Sequence, residues 1–173
     1  MAERGTRPRP EPDDIETTGS PADGEVWLGM LGDFIGFHLR LAQEASYQAF
    51  FQRIARDEGL EGLNIKPGHL TFMALIAENP GITQTALSRG CGRDKSSLTP
   101  MVEDFVRRGY VKKRRLLNDR RSYALTLTPA GEELSRTLSA HARAHDDELD
   151  RIVGIDAKPE LIRLLRRIKM SLG

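Results

Sequence analysis

Arg108, Lys112, Lys113, Arg114, Arg115, Arg120 and Arg121 crowd into the fourteen positions from 108 to 121. Cations at that density can neutralise a polyanion such as a nucleic-acid backbone, displacing its condensed counterions. A charge run can equally be a solvated face, so its setting matters. The chain carries a net +1, yet residues 91–121 hold ten Lys/Arg against four Asp/Glu, a local +6 that leaves the remainder at −5. A basic patch on an otherwise acidic body is the footprint of a polyanion-binding surface.

Other residue types suggest less. His141 and His145 stand four apart on one helical face and, with His69, could approach a metal such as zinc. No carboxylate or cysteine is placed to complete that set, and interface histidines explain the pair as well, so no metal or cofactor is expected. Cys91 is the single cysteine, which rules out an internal disulfide and suits a reducing cytoplasm. Without a neighbour to lower its pKa it reads as a small buried residue rather than a redox switch. There is no glycine-rich phosphate loop and no nucleophile elbow, and Ser96 and Ser97 have no nearby base, so the chain is not expected to be an enzyme. No apolar run reaches the length of a membrane helix and no signal-peptide pattern is present, so no membrane partner is expected.

The elements that must position the cations follow from periodicity. Residues 1–24, proline- and glycine-rich with little to bury, read as a disordered tail. Residues 25–60 read as one long helix, whose apolar residues (Trp27, Leu31, Phe34, Phe37, Leu41, Phe50, Ile54) spread wider than one core-facing stripe, as a helix packed on a second chain requires. In "KPGHLTFMALIAENPG" Pro67 suits a first helical position and "NPG" a stop. Thr83 caps a short helix, and Asp94 caps a longer one with Leu98, Val102, Phe105 and Val106 inward and Gly109 at its end. After Gly109 the period becomes alternating: "YVKKRR" and "SYALTLT" make a β-hairpin with Tyr123, Leu125 and Leu127 on one face. Thr128 and Pro129 start a further helix with a sparse stripe of Leu134, Leu138, His141, His145, Leu149 and Ile152, and a last one from about Pro159 carries Leu161, Leu164, Leu165, Ile168 and Leu172. Amphipathic terminal helices around a compact middle point to a homodimer. The fold expected is mainly α with a small β-hairpin wing: a winged helix-turn-helix over 61–128, an N-terminal helix over 25–60 and C-terminal dimerisation helices over 129–173.

The stretches "LTPMVEDFVRRGYV" and "NDRRSYALTLTPAG", in that order and spacing, resemble the DNA-binding core of the MarR (multiple antibiotic resistance regulator) family, over residues 66–133. The flanking helices fit the family's dimerisation layout. The resemblance implies a homodimeric transcription factor on double-stranded DNA with an inverted-repeat operator, most often a repressor released by a small molecule. It places Lys95, Ser96, Ser97 and Thr99 in the major groove, and Arg120 and Arg121 at a wing tip in the minor groove with Asp119 orienting them. Lys112 and Arg114 fall to phosphates, as do Lys113 and Arg115 in part. "FIGFHLRLAQEASYQAF" is similar to the branch sensing aromatic acids and their coenzyme A thioesters, which implies an effector cleft with Phe37, His38, Arg40, Tyr47 and Phe50, and Arg40 meeting a carboxylate or phosphate. Two alternatives stay open: a zinc-sensing regulator of the same fold, and a winged helix that docks protein.

Overall fold

The computed structural model describes residues 28–116 and 122–172. The chain falls into two compact units, one ending at Ser46 and one beginning at Tyr47. Helix α1 (Ile35–Ile54) crosses the boundary. In the first unit a 3-10 turn, Gly29–Asp33, precedes α1. His38 donates from Nε2 to the Gly32 carbonyl at 2.8 Å, tying the turn to the helix. None of residues 28–46 is buried, and Leu28, Met30, Leu31, Phe34, Ile35 and Leu41 are all exposed.

The second unit holds the core. After α1 come α2 (His69–Glu78), β1 (Ile82–Thr83), α3 (Gln84–Cys91), α4 (Lys95–Arg107), β2 (Val111–Arg115), β3 (Tyr123–Leu127), α5 (Pro129–Val153) and α6 (Lys158–Leu172). Phe72, Met73 and Ile76 of α2 pack with Leu87 of α3, Leu98, Val102 and Phe105 of α4, Val111, Leu125, and Leu134 and Leu138 of α5. The sheet is antiparallel with strand order β1-β3-β2. Leu125 is fully buried while Tyr123 and Leu127 beside it are half-buried, the face expected of the hairpin.

The "LTPAG" segment is explained by one close approach. Thr128 accepts from the Gly131 N–H at 3.0 Å and donates to the Gly109 carbonyl at 2.7 Å. A Cβ on Gly131 would stand 2.0 Å from the Tyr110 carbonyl oxygen, so only glycine lets α5 start against the link between α4 and β2. That approach fixes the wing to the core.

Two expectations are corrected, and the expected hairpin gains a strand. The long helix over 25–60 is interrupted: α1 begins only at Ile35, because Phe34 is extended (ψ 115°). After Ile54 the chain turns at Asp57, also extended, which caps a 3-10 turn at Glu58–Leu60. Pro67 is not a first helical residue. Gly68 sits in the left-handed region at φ 92° and α2 starts at His69, while the Lys66 N–H donates to His69 Nδ1 at 3.1 Å. The hairpin also has a third partner, since β1 pairs with β3 (Ile82 opposite Leu125, Thr83 opposite Ala124); two residues are too short to show a strand period. The stripe of α5 is buried at Leu134 and Leu138, half-buried from His141 to Leu149, and exposed at Ile152. In α6, Leu161, Leu164, Leu165 and Leu172 are exposed. Lys158, bonded by Asp146 and Asp150 at 2.7 and 2.8 Å, fastens the start of α6 to α5, and these two carboxylates hold its pKa up at about 12.

Candidate nucleic-acid interface

The helix-turn-helix is built from local capping. Thr83 accepts from the Ala86 N–H to start α3, and Gly92, left-handed at φ 62°, ends it. Arg93 follows, its N–H bonded to the Ser88 carbonyl at 3.0 Å. Asp94 then opens α4. Its Oδ1 accepts from Ser96 Oγ at 2.6 Å and from the Ser97 N–H at 2.7 Å, and these bonds hold its carboxyl below the usual carboxylate range. Ser97 Oγ donates to the Asp94 carbonyl at 3.0 Å.

With Leu98 and Val102 fully in the core, the first turn of α4 presents Lys95, Ser96 and Ser97 to solvent. Thr99 differs. It is half-buried, donating to the Lys95 carbonyl at 2.9 Å and accepting from Gln84 Nε2 at 2.7 Å. Major-groove readers need free donors and acceptors on short side chains at such a helix start. Lys95, Ser96 and Ser97 are exposed there. The Ser96 and Ser97 hydroxyls already donate to Asp94 and so offer acceptor lone pairs only, while Thr99, which also accepts from Gln84, keeps one lone pair.

Beside this helix, β2 exposes Lys112, Lys113, Arg114 and Arg115. The register pairs Lys112 with Thr126 and Arg114 with Ala124 on one face, and Val111, Lys113 and Arg115 with Leu127, Leu125 and Tyr123 on the other. Lys113 and Arg115 lie over the Tyr123 ring, 4.4 and 5.9 Å from its centroid, so part of their charge is committed to the strand itself. Lys112 and Arg114 are the outward pair. Arg108, first in the basic run, is structural: it donates to the Leu63 carbonyl at 2.7 Å and to Asp104 at 3.3 Å, and lies over Phe105 and Tyr110. Asp119, Arg120 and Arg121 lie outside the described residues, as does the tail over 1–24.

Two residues near the reader escape a reading of the sequence. Arg93 is an exposed cation in the turn, a type a motif search finds only once the turn is located. Gln84 reaches Thr99 across fifteen positions, which no local pattern reveals.

The residues expected to line an effector cleft divide between the units. In the first, the Arg40 guanidinium lies 5.6 Å over the Phe37 ring, which meets His38 edge-on at 5.6 Å. In the second, Tyr47 is exposed and Phe50 belongs to the core, packed on Phe51 and His145. The three histidines have separate engagements. His69 is buried edge-on against Phe105 at 4.9 Å, and burial lowers its pKa to about 4. His141 Nε2 pairs with Asp57 Oδ2 at 2.6 Å, and His145 packs on Phe50. Among the described residues no group of three or more His, Cys, Asp or Glu could hold a metal, and no helix is long and apolar enough to cross a membrane. Cys91 is half-buried, and burial pushes its thiol pKa up, the opposite of a reactive thiolate.

Residues 65–123 match the model of the MarR family. A Thauera aromatica protein described as a putative transcriptional regulatory protein for the hcr operon is 29% identical over 153 residues, covering 87% of this chain and 89% of that protein. The HTH-type transcriptional regulator BilQ of Clostridium symbiosum is 30% identical over 110 residues, covering 62% of this chain and 74% of its own. Among solved structures, the repressor CouR bound to a 23-mer DNA duplex is similar at TM-score 0.74 and 26% identity, over 84% of this chain and 99% of that one. The same repressor bound to p-coumaroyl-CoA shares the fold at TM-score 0.71 and 23% identity, over 84% of this chain and 98% of that one.

Proposed function

The chain belongs to the MarR family of transcriptional regulators, and on that footing we propose that it is a homodimeric repressor that grips an inverted-repeat operator through two copies of α4 and the β2–β3 wing. The observation that carries this reading is the pairing of an exposed polar helix start, Lys95 to Ser97, with the exposed cations Lys112 and Arg114 on one rigid core. Its relatives are transcriptional regulators rather than enzymes. A two-fold pair of such domains reads half-sites about 34 Å apart, one helical turn. The dimer reading is supported by apolar side chains that this chain leaves exposed, in residues 28–41 and along α6. Apolar surface on that scale marks an interaction site. Asp119, Arg120 and Arg121 complete the proposal as the minor-groove tip.

The effector we propose is an aromatic acid or its coenzyme A thioester, with Phe37, His38 and Arg40 offering a ring and a cation. CouR, the structural relative, is bound to p-coumaroyl-CoA in one structure. A ligand that favours the DNA-incompetent shape need supply only a coupling of about 1–3 kcal/mol to release the operator. The zinc reading loses support from the separate engagements of His69, His141 and His145. A protein-docking winged helix has no need for the Asp119–Arg121 cluster, and binding that weakens steeply with salt separates the two readings.

The test is an electrophoretic mobility shift with the double variant Arg120→Ala, Arg121→Ala, run beside a thermal-shift screen of phenolic acids and their acyl-CoA esters. Operator binding should be abolished while the dimer stays folded, and one ester should both raise the melting temperature and release DNA from the unaltered chain. Normal operator binding by the double variant defeats the wing assignment.

A further inference from the structure

Gln84 occupies an unusual place in the mechanical layout of the reader. It is the first residue of α3, directly after β1, and β1 is paired to β3 of the wing through Thr83 opposite Ala124. Its side chain crosses in the other direction, donating from Nε2 to Thr99 Oγ1 at 2.7 Å on the recognition helix. One residue is thus continuous with the wing sheet by backbone and bonded to α4 by side chain.

The bond falls where α4 needs support. Pro100 lies inside the helix and carries no N–H, so the Ser96 carbonyl lacks the donor that position 100 would otherwise supply. The Thr99 hydroxyl also back-bonds to the Lys95 carbonyl at 2.9 Å, which loosens or bends a helix when nothing opposes it. Asp94 secures the start of the turn from below. Gln84 secures it from the side. The turn held this way carries Lys95, Ser96 and Ser97, all exposed.

We propose that Gln84 and Thr99 form a positioning clamp that locks the first turn of α4 to the wing sheet, so that Thr99 acts by holding the base-facing residues rather than by touching a base. The clamp sets the angle between the major-groove helix and the wing, the quantity that decides whether both elements engage one duplex. Its role in recognition rests on the DNA-binding reading; its role in ordering α4 does not.

Two measurements on the full chain separate these. In fluorescence anisotropy with the duplex that the unaltered protein selects from a random pool, Gln84→Ala and Thr99→Val should each weaken binding about three- to tenfold, the worth of one hydrogen bond. The double variant should be no weaker than the worse single one, and Thr99→Ser, which keeps the hydroxyl, should bind as the unaltered protein does. The losses should spread evenly over single-base changes in the site. Multiplicative losses in the double variant, failure of Thr99→Ser, or a loss confined to one base pair would overturn the clamp and return Thr99 to direct base recognition. In the free protein, amide hydrogen exchange over residues 96–99 should quicken in Gln84→Ala and Thr99→Val but not in Thr99→Ser, with melting temperatures matched. Unchanged exchange would overturn the clamp even where DNA binding suffers. If the unaltered chain selects no duplex, the DNA reading fails and the exchange data alone decide the clamp.

Discussion

Lys112 and Arg114 project from the same face of β2, and Ser96 stands exposed on the first turn of α4. These residues should fail differently when removed. Lys112→Ala and Arg114→Ala should weaken binding to every duplex alike and reduce the salt slope by about one for each phosphate left without its cation. Ser96→Ala should cost about 1–3 kcal/mol at one base position and relax preference there. Anisotropy on a panel of single-base variants at several salt concentrations distinguishes the two patterns; a uniform loss from Ser96→Ala would assign it to the backbone. His69 supplies a pH effect on stability. Burial against Phe105 and the nearby Arg108 charge lower its pKa from 6.5 to about 4, so the folded chain binds fewer protons than the unfolded one between those values. Stability contributed by neutral His69 is therefore complete above pH 6.5, falls as pH drops below it, and stops falling near pH 4. The denaturation midpoint should decline as pH is lowered through that window, and His69→Asn, which keeps an acceptor for the Lys66 N–H, should flatten that decline. An equal decline in the variant would locate the titration elsewhere.

Elements whose ends are set by adjacent residues are legible in the sequence. Thr83, Asp94 and Thr128 cap α3, α4 and α5 as their types and positions indicate, and the inward set Leu98, Val102 and Phe105 follows from a 3.6-residue period. Features created by tertiary packing are not legible. The strand β1 is two residues long and exists through its pairing with β3. The break before α1 turns on the extended backbone of Phe34, inside a stretch whose composition is helical throughout. Thr99 has the look of a base reader because Leu98 points inward beside it, and only the partner from α3 shows its hydroxyl engaged. Arg108 counts as a free cation until its bonds to Asp104 and Leu63 are placed. At this scale α6 makes its own prediction. The described residues leave Leu161, Leu164, Leu165 and Leu172 exposed, so truncation before Asp156 should convert the proposed dimers to monomers or aggregates. Light scattering showing an unchanged dimer would refute the role given to α6.

For the molecule as a whole, the proposed dimer makes the local +6 over residues 91–121, against −5 elsewhere, one half of a two-fold device. One wing and one reader helix reach few phosphates; two copies double the charge and fix the spacing of the half-sites. In the proposed mechanism an effector need only alter that spacing to release the operator, so a modest coupling free energy would suffice. The most direct measurement is an anisotropy titration of the purified chain with an inverted-repeat duplex from upstream of its own gene, repeated across a salt series. Two chains should bind each duplex, and log Kobs should fall linearly with log salt. The slope should be at least as steep as about −3.6 if Lys112 and Arg114 of both copies reach phosphates, at about −0.9 per phosphate. One chain per duplex, or an affinity indifferent to salt, would contradict it.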